Sequence, residues 1–225
     1  VTGYEIVCVS IDGGASGTGS GSGSPVIVSG LSNGKSYSCT ATARFGGELS
    51  PPSDPSSGFV PATVPDAPTI GSATRGNGSV SVGFAAPTDD GGAAVTGYHV
   101  SCASSDGGTA GSASGTASPI SVSGLSNGKT YTCTVRAQNV VGLGGWSASS
   151  GSFVPAAVPD PPSISGVVPG NAVASVAFLP PSDDGGATIT GYSVSCVSSN
   201  GGTAGAGSGA GSPIVVRSEE HTSEL

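Results

Sequence analysis

Residues able to do chemistry are sparse in this chain, and the most suggestive are two aspartate pairs. Asp89-Asp90 in PTDDGG recurs as Asp183-Asp184 in PSDDGG. Adjacent carboxylates beside glycines suit calcium, yet a calcium ion takes roughly six to eight oxygens and each pair falls short of that. The same tetrapeptide is ordinary turn chemistry, because Asp accepts from nearby backbone N–H groups and Gly adopts positive φ. A turn is the expected role; calcium, with the joint between modules supplying further ligands, is the alternative. His99 stands alone, on the strand face opposite Tyr98 and Val100, without partners for a nucleophile–base arrangement. Glycine-rich runs such as SSDGGTAGSASGTASP from Ser104 lack the GxxxxGK[ST] order of a phosphate loop and read as loops between strands. Asn77-Gly78-Ser79 has the form of a glycosylation sequon, although Asn-Gly is also a turn signal. Trp146, the single tryptophan, is expected to pack near the last strand; exposed, it would stack on sugar. No catalytic, cofactor-binding or metal constellation emerges, and the expectation is a chain that is not an enzyme and carries no cofactor.

Charge excludes two partner classes. The six cations, Lys35, Arg44, Arg75, Lys129, Arg136 and Arg217, are scattered, and the formal net charge is −8. Nucleic acid requires clustered cations to displace phosphate counterions, and anionic membrane surfaces repel a chain of this sign. No apolar run approaches the roughly 20 residues of a spanning helix, so no membrane insertion is expected within this sequence.

The elements that must position these residues are strands. Charged residues make up only 9%, against 40 glycines and 17 prolines, which disfavours long amphipathic helices. Self-alignment gives one period: GYEIVC at Gly3 returns as GYHVSC at Gly97 and GYSVSC at Gly191, each 94 residues on. GLSNGKSYSCTATA at Gly30 likewise returns as GLSNGKTYTCTVRA at Gly124. A period of this length is a domain. Residues 64–157 form the one whole repeat; 1–62 lacks the opening strands and 158–216 the closing strands. The joints at ATVPDAP and AAVPDPP carry prolines that fix φ, predicting short, stiff connections. Within the whole repeat, period-two alternation predicts strands over Ser79–Phe84, Val95–Cys102, Pro119–Val122, Tyr131–Ala137 and Ser149–Val154. The last nine residues, 217–225 (RSEEHTSEL), read as the translation of a common sequencing adapter. They are excluded from function, because similarity to the repeat stops after Val216.

One stretch is specific to a family. Leu125-Ser126-Asn127-Gly128-Lys129-Thr130-Tyr131, then alternating Cys133, Val135 and Ala137, then Asn139, resembles the corner and sixth strand of fibronectin type III domains. DAP, a strand, a proline and GY opening the next strand resemble that family's beginning. Phe84 and Phe178 stand where the family usually carries Trp, and no RGD tripeptide is present. The resemblance implies an all-β chain of tandem immunoglobulin-like Greek-key sandwiches, with Tyr37 and Tyr131 as corner tyrosines whose hydroxyls bond back to the backbone.

In the resembling arrangement the third and sixth strands are sheet neighbours. This implies that Cys8 pairs with Cys39 and Cys102 with Cys133, pairs of equal spacing on inward faces. Cys196 lacks a partner because the repeat places it two residues past Leu225. Buried free thiols and a metal site remain the competing readings. Disulfides imply an oxidising compartment, hence secretion or surface display. The functional expectation is an extracellular spacer or scaffold. The alternatives are a module binding protein or polysaccharide, and accessory modules of a secreted hydrolase.

Overall fold

A computed structural model describes residues 1–218 and contains strands and turns but no helix among them. The tail reading of 217–225 therefore lies mostly outside the described residues. The first repeat contributes β1 (Gly3–Ser10), β2 (Gly17–Gly21), β3 (Tyr37–Phe45) and β4 (Glu48–Leu49), ordered β2-β1-β3-β4 in one antiparallel sheet. The middle repeat contributes β5 (Thr69–Gly76), β6 (Ser79–Ala85), β7 (Gly97–Ser104), β8 (Gly111–Gly115), β9 (Ile120–Ser123) and β10 (Tyr131–Gln138). These make two sheets, β5-β6-β9 and β10-β7-β8. The third repeat contributes β11 (Ser163–Gly170), β12 (Val173–Leu179), β13 (Tyr192–Cys196), β14 (Gly205–Gly209) and β15 (Ile214–Ser218), hydrogen-bonded as one five-stranded sheet.

Two-residue periodicity builds the middle sandwich. Val80 and Val82 of β6 and Ile120 and Val122 of β9 face inward, against Val100 and Cys102 of β7 and Tyr131, Cys133, Val135 and Ala137 of β10. All are buried, and the outward residues between them are Ser, Thr, His and Arg. Phe84 packs at the edge of this core, its ring centroid 4.7 Å from that of Tyr98. That contact recurs as Phe178 on Tyr192, also at 4.7 Å.

Two sequence expectations are corrected. The glycine-rich run after Ser104 is not loop throughout, because Gly111–Gly115 forms β8, paired with β7. Glycine serves there for space: a methyl on Gly111 would lie 2.8 Å from the side chains of both Leu125 and Val122. The second correction concerns Ser149–Val154, which forms no ladder beyond a bridge between Tyr131 and Phe153. The closing segment instead advances three residues for every two of β10. Gly144, Ser147, Ser150 and Phe153 donate their N–H to the carbonyls of Ala137, Val135, Cys133 and Tyr131. This stride of three takes the place of the two-residue step that a paired strand would keep.

Candidate functional site

The registers of β7 with β10 and β1 with β3 place the cysteines directly opposite one another. Cys102 faces Cys133 and Cys8 faces Cys39, with Cα atoms 4.0 Å apart in both pairs. That separation belongs to the narrow positions of an antiparallel ladder, where facing side chains approach most closely. Both pairs are disulfide-bonded, and Cys196, half-buried on β13, is free.

The corner tyrosines are buried and doubly bonded. Tyr131 Oη donates to Thr109 O at 2.9 Å and accepts from Ser126 N at 2.9 Å. Tyr37 Oη repeats this with Ala15 O at 2.9 Å and Ser32 N at 2.8 Å. Beside each corner an exposed aspartate ties the turn between two strands. Asp106 accepts from Ser104 Oγ and from Thr130 N, and Lys129 Nζ donates to its carbonyl. Asp12 does the same with Ser10, Ser36 and Lys35. The serine hydroxyl, then the backbone N–H, holds each carboxyl below the ordinary carboxylate value.

Asp89 and Asp90 act within their turn, each Oδ1 accepting at 2.8 Å from the N–H two residues on, Gly91 and Gly92. Asp183 and Asp184 do likewise with Gly185 and Gly186. Among the described residues no three His, Cys, Asp or Glu side chains converge. These turns instead engage the joints. Pro61 O accepts from Gly34 N, and Thr63 N and Asp66 N donate to Gly91 O and Asp89 O. The second joint repeats all three bonds, with Pro155 accepting from Gly128 and with Ala157 and Asp160 donating to Gly185 and Asp183.

The outer face of the β10-β7-β8 sheet carries the remaining candidates. His99 bonds Gln138 Oε1 through Nε2 and Ser114 Oγ through Nδ1, both at 2.9 Å. Opposite His99, Arg136 lies under the Trp146 ring, its guanidinium carbon 4.3 Å from the centroid. Arg136 Nε is buried there without a hydrogen-bond partner. With one face against Arg136, the 44% exposure of Trp146 belongs to the other face and the edges. In the first repeat the positions of His99 and Gln138 are Glu5 and Arg44, an ion pair at 3.1 Å. Asn77 is exposed at the β5–β6 turn, where its Oδ1 accepts from Asn127 Nδ2.

Two sets of residues carry roles that the sequence did not announce. Ser147 and Ser150 accept hydrogen bonds from the N–H groups of Val135 and Cys133 on their hydroxyl oxygens and donate their own O–H to the next carbonyl, of Ala148 and Gly151. Ser50, Ser53 and Ser56 accept in the same way from Ala43, Ala41 and Cys39. Spacing by three was the available signal. Asn139 is buried, donates to Thr63 O at 2.7 Å and to Asp90 O at 2.9 Å, and so clamps linker and turn together. In the sequence it showed only as the last residue of the family-like stretch and as a break in the inward apolar alternation after Ala137.

Among solved structures, the chain is similar to the twitchin kinase region from C. elegans (Fn31-NL-kin-CRD-Ig26), at 23% identity and TM-score 0.38, covering 41% of this chain and 17% of that one. It is also similar to the titin kinase with its flanking domains, at 18% identity and TM-score 0.36, covering 53% and 28%. A third is the FN1-FN3 domains of chicken CNTN1, at 16% identity and TM-score 0.39, covering 68% and 56%. The chain thus spans well under two thirds of each. The family model described as "Fibronectin type III domain" matches residues 66–152, within which lie both sheets, the corner tyrosine and the disulfide. Residues 66–152 are thus similar to a fibronectin type III domain over the stretch that carries the middle sandwich.

Proposed function

We propose that this chain is a non-catalytic extracellular spacer or scaffold that sets a distance between what flanks it. The observation that carries the reading is the joint. Each linker is main-chain bonded both to the module before it, through Gly34 or Gly128, and to the turn of the module after it, through Gly91 or Gly185. A connection stitched on both sides transmits position, whereas a free Gly/Ser linker would behave as a coil. Small-angle scattering of the whole chain should give a pair-distance distribution of an extended row of modules, insensitive to salt. A compact or broadly distributed envelope would remove the reading. The two disulfides support an oxidising compartment.

A second reading, a module binding protein or polysaccharide, is favoured by Trp146. The ring stacks on Arg136, which stands opposite His99 in the β7–β10 register, where His99 joins Ser114 and Gln138 in a hydroxyl- and amide-bearing row. Because Trp146 is the single tryptophan, its fluorescence reports this face directly. A saturable change with neutral oligosaccharides, lost in Trp146→Ala, would establish the polysaccharide form. No change across a panel of them would remove it.

A further inference from the structure

We propose that consecutive repeats dock as plug and socket through a glycine-to-glycine main-chain contact, so that neighbours share one fixed orientation. The partner of this surface is the next copy of the repeat. The inference rests on the spacer reading and goes further by naming the residues that set the geometry.

The plug is the corner after the paired aspartates. Asp89 and Asp90 close the turn with their own carboxylates, and Gly91 and Gly92 follow at φ of 76° and 82°. Gly92 is thereby presented to the Asn33-Gly34 turn of the preceding repeat. A methyl built on Gly92 would overlap Gly34 N and lie 2.7 Å from the carbonyl carbon of Asn33. Conversely, a methyl on Gly34 would lie 3.0 Å from Gly92 Cα. The second joint reproduces the contact: a methyl on Gly186 would overlap Gly128 N, and one on Gly128 would lie 3.2 Å from Gly186 Cα. The linkers differ in sequence, ATVPDAP against AAVPDPP, yet the contact is the same. Every group nearest these glycines but one is backbone, so no side-chain rotation relieves an added carbon, and one module must move relative to the other. Gly91 and Gly185 are equally tight against the linker, where an added methyl would overlap Thr63 O and Ala157 O.

Relative motion is the ordinary expectation for domains joined by short linkers unless their interface constrains it. Here the constraint is the glycine contact more than the proline content of the joint. A proline fixes one dihedral of its own chain, whereas the contact fixes the placement of two modules. Pro159, in the second joint, is exposed.

The test is residual dipolar couplings on the ¹⁵N-labelled whole chain. Backbone couplings from the three repeats should fit one alignment tensor in the wild type and in Pro159→Ala. In Gly92→Ala the first repeat should depart from the tensor of the other two, and in Gly186→Ala the third should depart. Alanine at positive φ also strains a turn, so Gly124→Ala is the control. Gly124 has φ 79° with open space around it, and its variant should keep the single tensor. Amide shifts of β7 and β10 verify that the middle module stays folded in each. Separate tensors in the wild type, a single tensor retained in both Gly92→Ala and Gly186→Ala, or loss of the single tensor in Gly124→Ala overturns the proposal. Scattering separates the two levels: an extended envelope with independent tensors leaves the spacer and removes the lock, whereas a compact envelope removes the spacer.

Discussion

The first and middle repeats hold the same local hydrogen bonds in very different surroundings. Tyr37 and Tyr131 make matching pairs of bonds, Asp12 and Asp106 tie matching turns, and serines at three-residue steps line both closing segments. Yet Cys133, Val135 and Ala137 are fully buried beneath the β5-β6-β9 sheet, whereas Cys39, Ala41 and Ala43 stay half-buried, because residues 1–62 form one sheet only. Corner, turn and serine steps are thus short-range structure that forms one sheet at a time. Burial of the core requires both sheets, and the same side chain carries different free energy in the two places.

The largest test of this division is the disulfide. Its loop has the same 31-residue separation in both repeats, so a purely chain-entropic bond stabilises both by roughly 3–4 kcal/mol regardless of burial. Cys102→Ala/Cys133→Ala and Cys8→Ala/Cys39→Ala should then lower the urea-unfolding free energies of their own modules by similar amounts. A much larger loss in the middle module would show that packing of the buried sulfurs contributes as well.

Next in size is the corner. Tyr131→Phe leaves Thr109 O and Ser126 N without their partner, at a cost of about 1–3 kcal/mol. Tyr37→Phe should cost as much, since its bonds and burial match. Unequal losses by chemical denaturation would mean that the corner draws on the second sheet after all.

The serine steps should separate the repeats. Ser150→Ala strands the buried N–H of Cys133, at about 1–3 kcal/mol. Ser56→Ala leaves the N–H of Cys39 able to reach water, and its loss should be several-fold smaller. Amide hydrogen exchange at Cys133 and Cys39 reads both directly, with the larger acceleration expected at Cys133.

Much of this was legible because it is local and periodic. Alternation placed Val80, Val82, Val100 and Cys102 on inward faces, and the 94-residue offset relates Tyr37 to Tyr131 and Asp12 to Asp106, which make matching bonds. The illegible parts are those where period two fails for a physical reason. Gly111–Gly115 looked like loop because its inward positions touch Leu125 and Val122 and have room for little beyond hydrogen or methyl. The closing segment was read as a strand over Ser149–Val154, but it forms no ladder because the hydroxyls of Ser147 and Ser150, not backbone carbonyls, accept the N–H groups of Val135 and Cys133. Trp146 was expected to pack near the last strand; it does adjoin that segment, stacked on Arg136 with its other face open. The docking of Gly92 on Gly34 joins residues 58 positions apart in different modules, which no pattern within one repeat announces.

The smallest effect tests the turn that both repeats share and the third does not. Asp106 and Asp12 are charged acceptors, whereas the third repeat has Asn200 at that position, accepting from Ser198 alone among the described residues. Hydrogen bonds from Ser104 and the Thr130 N–H depress the folded-state carboxyl below its ordinary value of 3.8. The charged form is therefore favoured by folding, and its contribution is complete at pH values above that ordinary value. It is lost as pH falls through the lower folded-state value, so stability should decline on the acid side of about pH 4. Asp106→Asn should abolish that part of the decline while lowering stability slightly at neutral pH, because the side group is fully exposed and water screens it. Asp12→Asn should act identically on the first repeat, since the turn does not depend on the second sheet. Urea midpoints of both variants and the wild type between pH 7 and pH 2.5 check this, and an unchanged acid limb in Asp106→Asn would show that the turn aspartate does not couple to folding.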